Sequence, residues 1–402
     1  MNVLFVTLPF STSKVAVFYD DLLLEFVNNG DKIYVACANE KGCGEEAGVS
    51  EYKGMTVLRI PVGKITGNVG LIEKGISTLM MDSKFKRAIK KYYKDLKIDL
   101  ILYPTPPITL VNTIKYLKKK TGARTYLLLK DIFPQNAVDL GMLKTSGLKG
   151  LLYKMFKRKE KAFYKVSDNI GCMSPANVKF VLEHNKEINP KKVEVCPNCV
   201  FPPKDKPNRS VNDSVFLRTK YHIPKDAVVF LYGGNLGKPQ GIDFLVECLR
   251  AEKANNKVFF IIVGEGPDYH KLRSFVDDEK PDNSVLLDYM PKVDYQVIAN
   301  ACDVGMIFLE YNFTIPNFPS RFLDYISAGI PVLVATDPVC DMGDIAEENN
   351  FGYKCLSNNV NGFIDAVEKF VSSNRESMGE RAWQFFHNNY TVKKGREIIL
   401  SH

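Results

Sequence analysis

Val228-Val229-Phe230-Leu231-Tyr232 runs straight into Gly233-Gly234-Asn235-Leu236-Gly237-Lys238-Pro239-Gln240-Gly241, and a helical pattern follows over 241–251. Five apolar residues without alternation suit a strand buried on both faces, as in a parallel sheet covered by helices. A glycine-rich turn between strand and helix lets backbone N–H groups approach a phosphate, and the amino end of the helix adds partial positive charge. Lys238 adds a full charge beside it. Taken alone, the motif also fits a plain structural turn.

The alternation continues on both sides. Downstream, strands are expected at 258–263, 285–287, 304–308 and 332–335, with a helix at 268–276. Upstream, strands at 3–8, 32–37, 56–60, 100–103, 125–129 and 169–173 are separated by helical patterns at 14–29, 109–120 and 175–184. The stretch Asn198-Cys199-Val200-Phe201-Pro202-Pro203-Lys204-Asp205-Lys206-Pro207-Asn208 breaks the rhythm, because three prolines in a polar run continue neither a helix nor a central strand. The prediction is an α/β chain of two Rossmann-like domains. The first spans 1–197, the linker 198–208 and the second 209–375, with helices over 376–402 that cross back to the first. Two open parallel sheets facing an interdomain cleft would bind ligands at the carboxyl ends of their strands.

Size and composition agree. The 402 residues, 45% hydrophobic and 25% charged, are enough for two cores, and the net charge of +8 favours an anionic partner. No run of eighteen apolar residues occurs, so no membrane span is expected. Met1-Asn2-Val3-Leu4-Phe5 reads as a first strand rather than a signal peptide. Nine scattered cysteines, with Cys196-Pro197-Asn198-Cys199 as the one close pair, fit inert interdomain thiols and a cytoplasmic location.

Two further motifs sit downstream. Val263-Gly264-Glu265-Gly266-Pro267 follows a strand, with proline placed for a helix start, and reads equally as a plain turn or a ligand loop. In Phe318-Pro319-Ser320-Arg321-Phe322-Leu323-Asp324, Ser320 is expected to cap a helix. Arg321 would add charge there, and Asp324, one turn on, could accept both hydroxyls of a ribose. An ordinary surface helix is the alternative.

The succession of these three motifs resembles the donor half of family-4 retaining glycosyltransferases of GT-B fold. The resemblance is nearest the bacterial capsule and O-antigen branch that includes N-acetylfucosaminyl-type transferases. Lys130-Asp131-Ile132-Phe133-Pro134-Gln135 resembles that branch's acceptor-side motif, and Pro197-Asn198 the end of its first domain. The resemblance implies a UDP-sugar donor, retention of anomeric configuration, and a glycan or polyprenyl-diphosphate-linked acceptor. Gly234, Asn235, Lys238 and Glu265 would then lie at the donor phosphates. Tyr289 and Met290 would meet the nucleobase, Pro319, Ser320 and Arg321 the diphosphate, and Asp324 the ribose. Ser11, Ser13, Lys14, Lys130 and Asp131 would lie on the acceptor side, with Asp131 positioning the acceptor hydroxyl or taking its proton. The chain departs from the pattern where many relatives carry cations, at Asn235 and Gln240, and at Pro316, where many carry an acid; Glu310 is the nearest upstream acid.

No Asp-x-Asp motif accompanies the donor half and the five histidines are dispersed, so no metal and no other cofactor is expected. Lys238, Arg321 and helix amino ends would balance the departing charge. In the first half, 84–97 and 148–166 are basic, amphipathic helical patterns. Either alone reads as a helix on its own sheet with lysines in solvent. Their clustering in the acceptor half adds an expectation of contact with an anionic membrane surface. No nucleic-acid module accompanies them. Rival readings are a sugar-nucleotide epimerase of the same architecture and a catalytically silent subunit of a polysaccharide assembly complex. A dinucleotide dehydrogenase lacks its G-x-G-x-x-G spacing.

Overall fold

A computed structural model describes residues 1–10, 19–40, 46–63, 71–205 and 211–402. The chain divides into two units: 1–201 together with 392–402, and 202–391.

The first unit holds an eight-stranded sheet. Its strands are β1 (Asn2–Thr7), β2 (Lys32–Glu40), β3 (Gly48–Tyr52), β4 (Met55–Val62), β5 (Leu100–Thr105), β6 (Arg124–Leu129), β7 (Asn169–Cys172) and β8 (Val193–Val195). They lie in the order β3-β4-β2-β1-β5-β6-β7-β8. All neighbours are parallel except β3 and β4. β3 joins β4 through Lys53-Gly54, both at positive φ, the two-residue turn that suits strand twist. Helices Asp20–Asn28, Leu71–Tyr92, Val111–Thr121, Gly147–Val166 and Pro175–His184 belong to this unit.

The helix Val392–Leu400 also belongs to it. Val392 and Ile399 are buried in one apolar cluster with Leu22, Phe26, Cys196 and Cys199. Polar contacts fix the docking: Arg396 pairs with Asp31 at 2.8 Å, and an Arg124 N–H donates to the Ile399 carbonyl at 2.7 Å. Cys196 and Cys199 therefore sit in the first unit's core instead of in an interdomain position, and burial pushes both thiols up, Cys199 to about 12.

The second unit holds β9 (Val228–Gly233), β10 (Val258–Val263), β11 (Ser284–Leu287), β12 (Val304–Phe308), β13 (Val332–Thr336) and β14 (Gly352–Leu356). The sheet is wholly parallel, in the order β11-β10-β9-β12-β13-β14. Counted within the unit this is 3-2-1-4-5-6, the doubly wound order whose switch point lies between β9 and β12. Every residue of β9, β10, β12 and β13 is buried, which accounts for their unbroken apolar runs. The helix Arg375–Asn389 belongs to this unit, so of the helices expected over 376–402 only the last returns to the first.

Candidate active site

At the carboxyl ends of β9 and β10 two glycine loops lie backbone against backbone. Gly234 N–H donates to the Val263 carbonyl at 3.0 Å, Leu236 N–H to Glu265 at 2.8 Å, and Asp268 N–H to Leu236 at 2.9 Å. A Cβ on Gly264 would stand 1.9 Å from the Gly234 oxygen, and one on Gly266 would stand 2.2 Å from the Leu236 oxygen. The glycines of 263–267 thus permit loop-on-loop packing. Pro267 precedes the helix Tyr269–Glu279 by two residues, outside the helix start where it was expected. The backbone of 238–241 is tied to the end of β12, with Glu310 N–H donating to the Pro239 carbonyl at 3.0 Å. Both sides of the switch point therefore share one backbone scaffold.

Arg321 reaches into this scaffold from the helix Arg321–Ser327. Its guanidinium lies 4.5 Å from the Tyr232 ring centroid, and its Nη2 lies 3.1 Å from where a Gly234 side chain would begin. Its Nη1 is buried with no hydrogen-bond partner. A buried cationic N–H left unpaired is costly, and an anion is the group that best satisfies it.

Tyrosines hold the arrangement in place. Tyr232 donates its hydroxyl to the Asn235 carbonyl at 2.9 Å, bracing the turn under Arg321. Tyr325, fully buried, donates to the Leu231 carbonyl at 3.0 Å and accepts from Gly233 N–H at 3.2 Å. A Cβ on Gly233 would collide with the Tyr295 hydroxyl. Burial raises all three phenols, so they remain neutral. Nothing in the sequence separated these tyrosines from ordinary core aromatics; only their placement around one arginine does.

The remaining expected donor residues fall out as follows. Asn235 and Gln240 hydrogen-bond each other at 2.9 Å, a neutral amide pair beside the loop. Lys238 is exposed on a 3-10 turn, after which Gly241 turns the chain at φ 58 into the helix Ile242–Glu252. Ser320 does not cap the helix: it has helical backbone angles (φ −62, ψ −24) and its side chain accepts no capping bond. Ser320 and Asp324 are exposed, and Pro319 is half-buried. Glu265 and Tyr289 are exposed and Met290 half-buried. The 288–290 segment begins where Gly264 N–H bonds the Leu287 carbonyl. Pro316 is buried, and the half-buried Glu310 accepts from Asn312 at 2.7 Å.

In the first unit, Asp131 follows β6. One carboxylate oxygen accepts from Asn136; the other is buried and unpaired. Burial pushes its pKa up to about 6, partly opposed by a backbone hydrogen bond from Ile132. Lys130 donates to the Cys196 carbonyl at 3.0 Å, and burial lowers its pKa. Ser11, Ser13 and Lys14 lie outside the described residues. A polar cavity of about 310 Å³ lined by Glu347, Tyr353, Lys369 and Arg381 sits at the amino end of β14, away from the glycine loops. Among the described residues no three His, Cys, Asp or Glu side chains gather as a metal would need.

The glycine loops and Arg321 fall within one match. Residues 213–385 match the family described as glycosyl transferases group 1. The second unit is thus a group 1 glycosyltransferase domain. A relative from Pseudomonas aeruginosa, "Probable glycosyltransferase WbjE", is 23% identical over 327 residues, covering 80% of this chain and 78% of its own. "Putative colanic acid biosynthesis glycosyl transferase WcaI" of Escherichia coli is 21% identical over 62% of this chain and 60% of its own. Among solved structures, sucrose-phosphate synthase from Thermosynechococcus elongatus superposes with a TM-score of 0.74 at 13% identity, over 100% of both chains. Anabaena HepE, solved with UDP and glucose, gives 0.67 at 14% identity, over 99% of this chain and 98% of that one. The fold is that of the GT-B glycosyltransferases.

Proposed function

We propose that the chain transfers a sugar from a UDP-sugar to a glycan or polyprenyl-diphosphate-linked acceptor in bacterial surface polysaccharide synthesis, with retention of anomeric configuration. The observation that carries this reading is Arg321, whose guanidinium lies against Gly234 at the switch point of the second sheet with its Nη1 buried and unpaired. A diphosphate there would gain a charge-assisted bond from Arg321, with Lys238 on the neighbouring turn. Together they would balance the charge that develops as the sugar leaves, without a metal. The leaving phosphate would take the acceptor proton, and Asp131 would orient the acceptor hydroxyl. The bacterial branch resembled in sequence supports an N-acetylated hexosamine or deoxyhexosamine as the transferred sugar. The colanic acid relative WcaI and the UDP-bound HepE support the polymer class and the nucleotide.

UDP should raise the melting temperature, and the cognate UDP-sugar should raise it further. Product released in the presence of EDTA, with its anomeric configuration read by NMR, completes the test. Absence of any shift with UDP would overturn the proposal, and inversion of configuration would overturn its mechanism. The active chain is placed on the cytoplasmic face of the membrane, where such an acceptor would be met. No helix of the described residues is long and apolar enough to cross a membrane.

A further inference from the structure

The polar cavity of about 310 Å³ at the amino end of β14 has no part in the donor site, since the glycine loops lie at the carboxyl ends of their strands. Three helices wall it: Met342–Glu348 with Glu347, Val360–Ser372 with Lys369, and Arg375–Asn389 with Ser377 and Arg381. Tyr353 of β14 and Ser373, between the last two helices, complete the lining used here. A hollow of this volume is at the small end of those that enclose metabolites.

Charge in the cavity is unbalanced. Among the described residues neither Lys369 nor Arg381 pairs with a carboxylate. Glu347, the one acid of the lining, is engaged by Lys354, which donates its backbone N–H at 3.2 Å and holds its ammonium 3.9 Å away. Lys369 rests its ammonium 5.6 Å from the Tyr353 ring centroid. Arg381 is held in place although no acid holds it: its Nε donates to the Asn350 carbonyl at 2.6 Å and its Nη1 to the Ser377 hydroxyl at 2.8 Å. Its Nη2 is left for a further acceptor, and the Ser377 hydroxyl still has its own proton to give. The amino end of Arg375–Asn389 is not the attraction, because the Asn374 side chain already accepts from Ser377 N–H at 3.0 Å. A fixed guanidinium, an ammonium and a hydroxyl around one hollow are the donor set for a phosphate monoester. The Glu347 carboxylate, with lone pairs to spare, suits hydroxyls on the rest of such a ligand.

The same walls pack on the helix that carries Arg321. Phe351, between the lining residues Asn350 and Gly352, has its ring centroid 6.0 Å from that of Phe322, the neighbour of Arg321. Gly379, between Ser377 and Arg381, lies so close to the end of that helix that a Cβ on it would stand 2.1 Å from the Gly329 oxygen. A ligand bridging Lys369 and Arg381 would therefore clamp the helix Arg375–Asn389 in its seat behind Arg321. We propose that this cavity is a second binding site, for a phosphate monoester of sugar size, and that its occupancy tightens UDP binding at Arg321. The site stands by itself; the coupling rests on the UDP reading above.

Isothermal titration calorimetry of the full chain with glucose-6-phosphate, inorganic phosphate and glucose tests both parts. Glucose-6-phosphate should bind with and without saturating UDP, inorganic phosphate more weakly, and glucose not at all. Lys369→Gln, at an exposed side chain, should weaken glucose-6-phosphate about tenfold. Ser377→Glu puts a carboxylate into the cavity at a helix position that favours glutamate, and should abolish binding. Both variants should keep the wild-type melting temperature, and Arg321→Met without UDP should bind glucose-6-phosphate as the wild type does. Saturating glucose-6-phosphate should tighten UDP about fivefold, and UDP should tighten glucose-6-phosphate by the same factor. No binding of glucose-6-phosphate by the wild type would overturn the site, as would undiminished binding in Lys369→Gln and Ser377→Glu or loss of binding in Arg321→Met. Equal binding of glucose would overturn the phosphate class, and equal binding of inorganic phosphate would overturn recognition of the skeleton. An unchanged UDP affinity would overturn the coupling. Glucose-6-phosphate binding to a chain that UDP does not bind would support the site while removing the donor reading.

Discussion

Replacing Arg321 by methionine separates a ligand-binding role from a structural one, because the two predict opposite signs. In the ligand-free protein the guanidinium has a buried, unpaired Nη1, a burden of about 1–3 kcal/mol. Its contact with the Tyr232 ring returns about 0.5–2 kcal/mol. Methionine fills much of the same space over the ring without the charge, so the ligand-free melting temperature should stay level or rise. With UDP the sign reverses. Loss of one charge-assisted bond to a phosphate, about 2 kcal/mol, weakens binding about thirtyfold. At UDP one hundred times the wild-type Kd, the wild type gains about 2.7 kcal/mol; Arg321→Met, at the same concentration, gains about 0.9 kcal/mol. For a unit of this size those gains correspond to shifts of about 5–11 °C and about 2–4 °C. Differential scanning fluorimetry with and without UDP measures both, and isothermal titration calorimetry gives the affinity ratio. A variant that melts well below the wild type without ligand would make Arg321 a structural residue. An unchanged UDP shift would mean that the diphosphate lies elsewhere.

Asp131→Asn should stabilise the first unit at pH 7.5 and leave it unchanged near pH 4. The carboxyl is pushed up to about 6 by burial, so its ionisation weakens the fold as pH rises from the ordinary carboxylate range through about 6. Removing it should return about 3 kcal/mol above that pH, read by urea unfolding at both pH values. The same substitution should lower transfer, while wild-type transfer should decline as pH falls through about 6. Deleting 392–402 should strip the first unit of buried Val392 and Ile399, a loss of about 3–6 kcal/mol. Calorimetry should show an early transition for that unit, with the UDP-dependent transition of the second retained.

Strands were legible wherever both faces are covered, as in β9, β10, β12 and β13, because burial on two sides leaves little room for polar residues. Among the edges β11 was read at 285–287, but β3 and β14 were not: β3 is half-buried or exposed throughout, β14 mixes buried, half-buried and exposed positions, and Gly48-Val49-Ser50-Glu51-Tyr52 shows no alternation to betray a strand. In the site, Arg321 and the glycines could be read because charge and missing side chains carry chemistry in themselves. Ser320 misled, since a serine before a helical pattern caps only if its backbone is extended, and here it is helical. Tyr232, Tyr295 and Tyr325 were invisible because their role depends on which glycines and carbonyls face them. In Gly147–Val166 helical periodicity marks an apolar face but not what covers it, and Leu151 and Leu152 on that face are exposed.

The return of Val392–Leu400 to the first unit makes the second an insertion within it, entered after Phe201 and left before Val392. During synthesis the usual amino-to-carboxyl order of domain completion is then reversed. The second unit has its whole sequence outside the ribosome before the first does. Until residue 399 emerges, Leu22 and Phe26 lack part of their apolar cover. A released chain ending at residue 391 should therefore carry a nucleotide-competent second unit and a protease-sensitive first one.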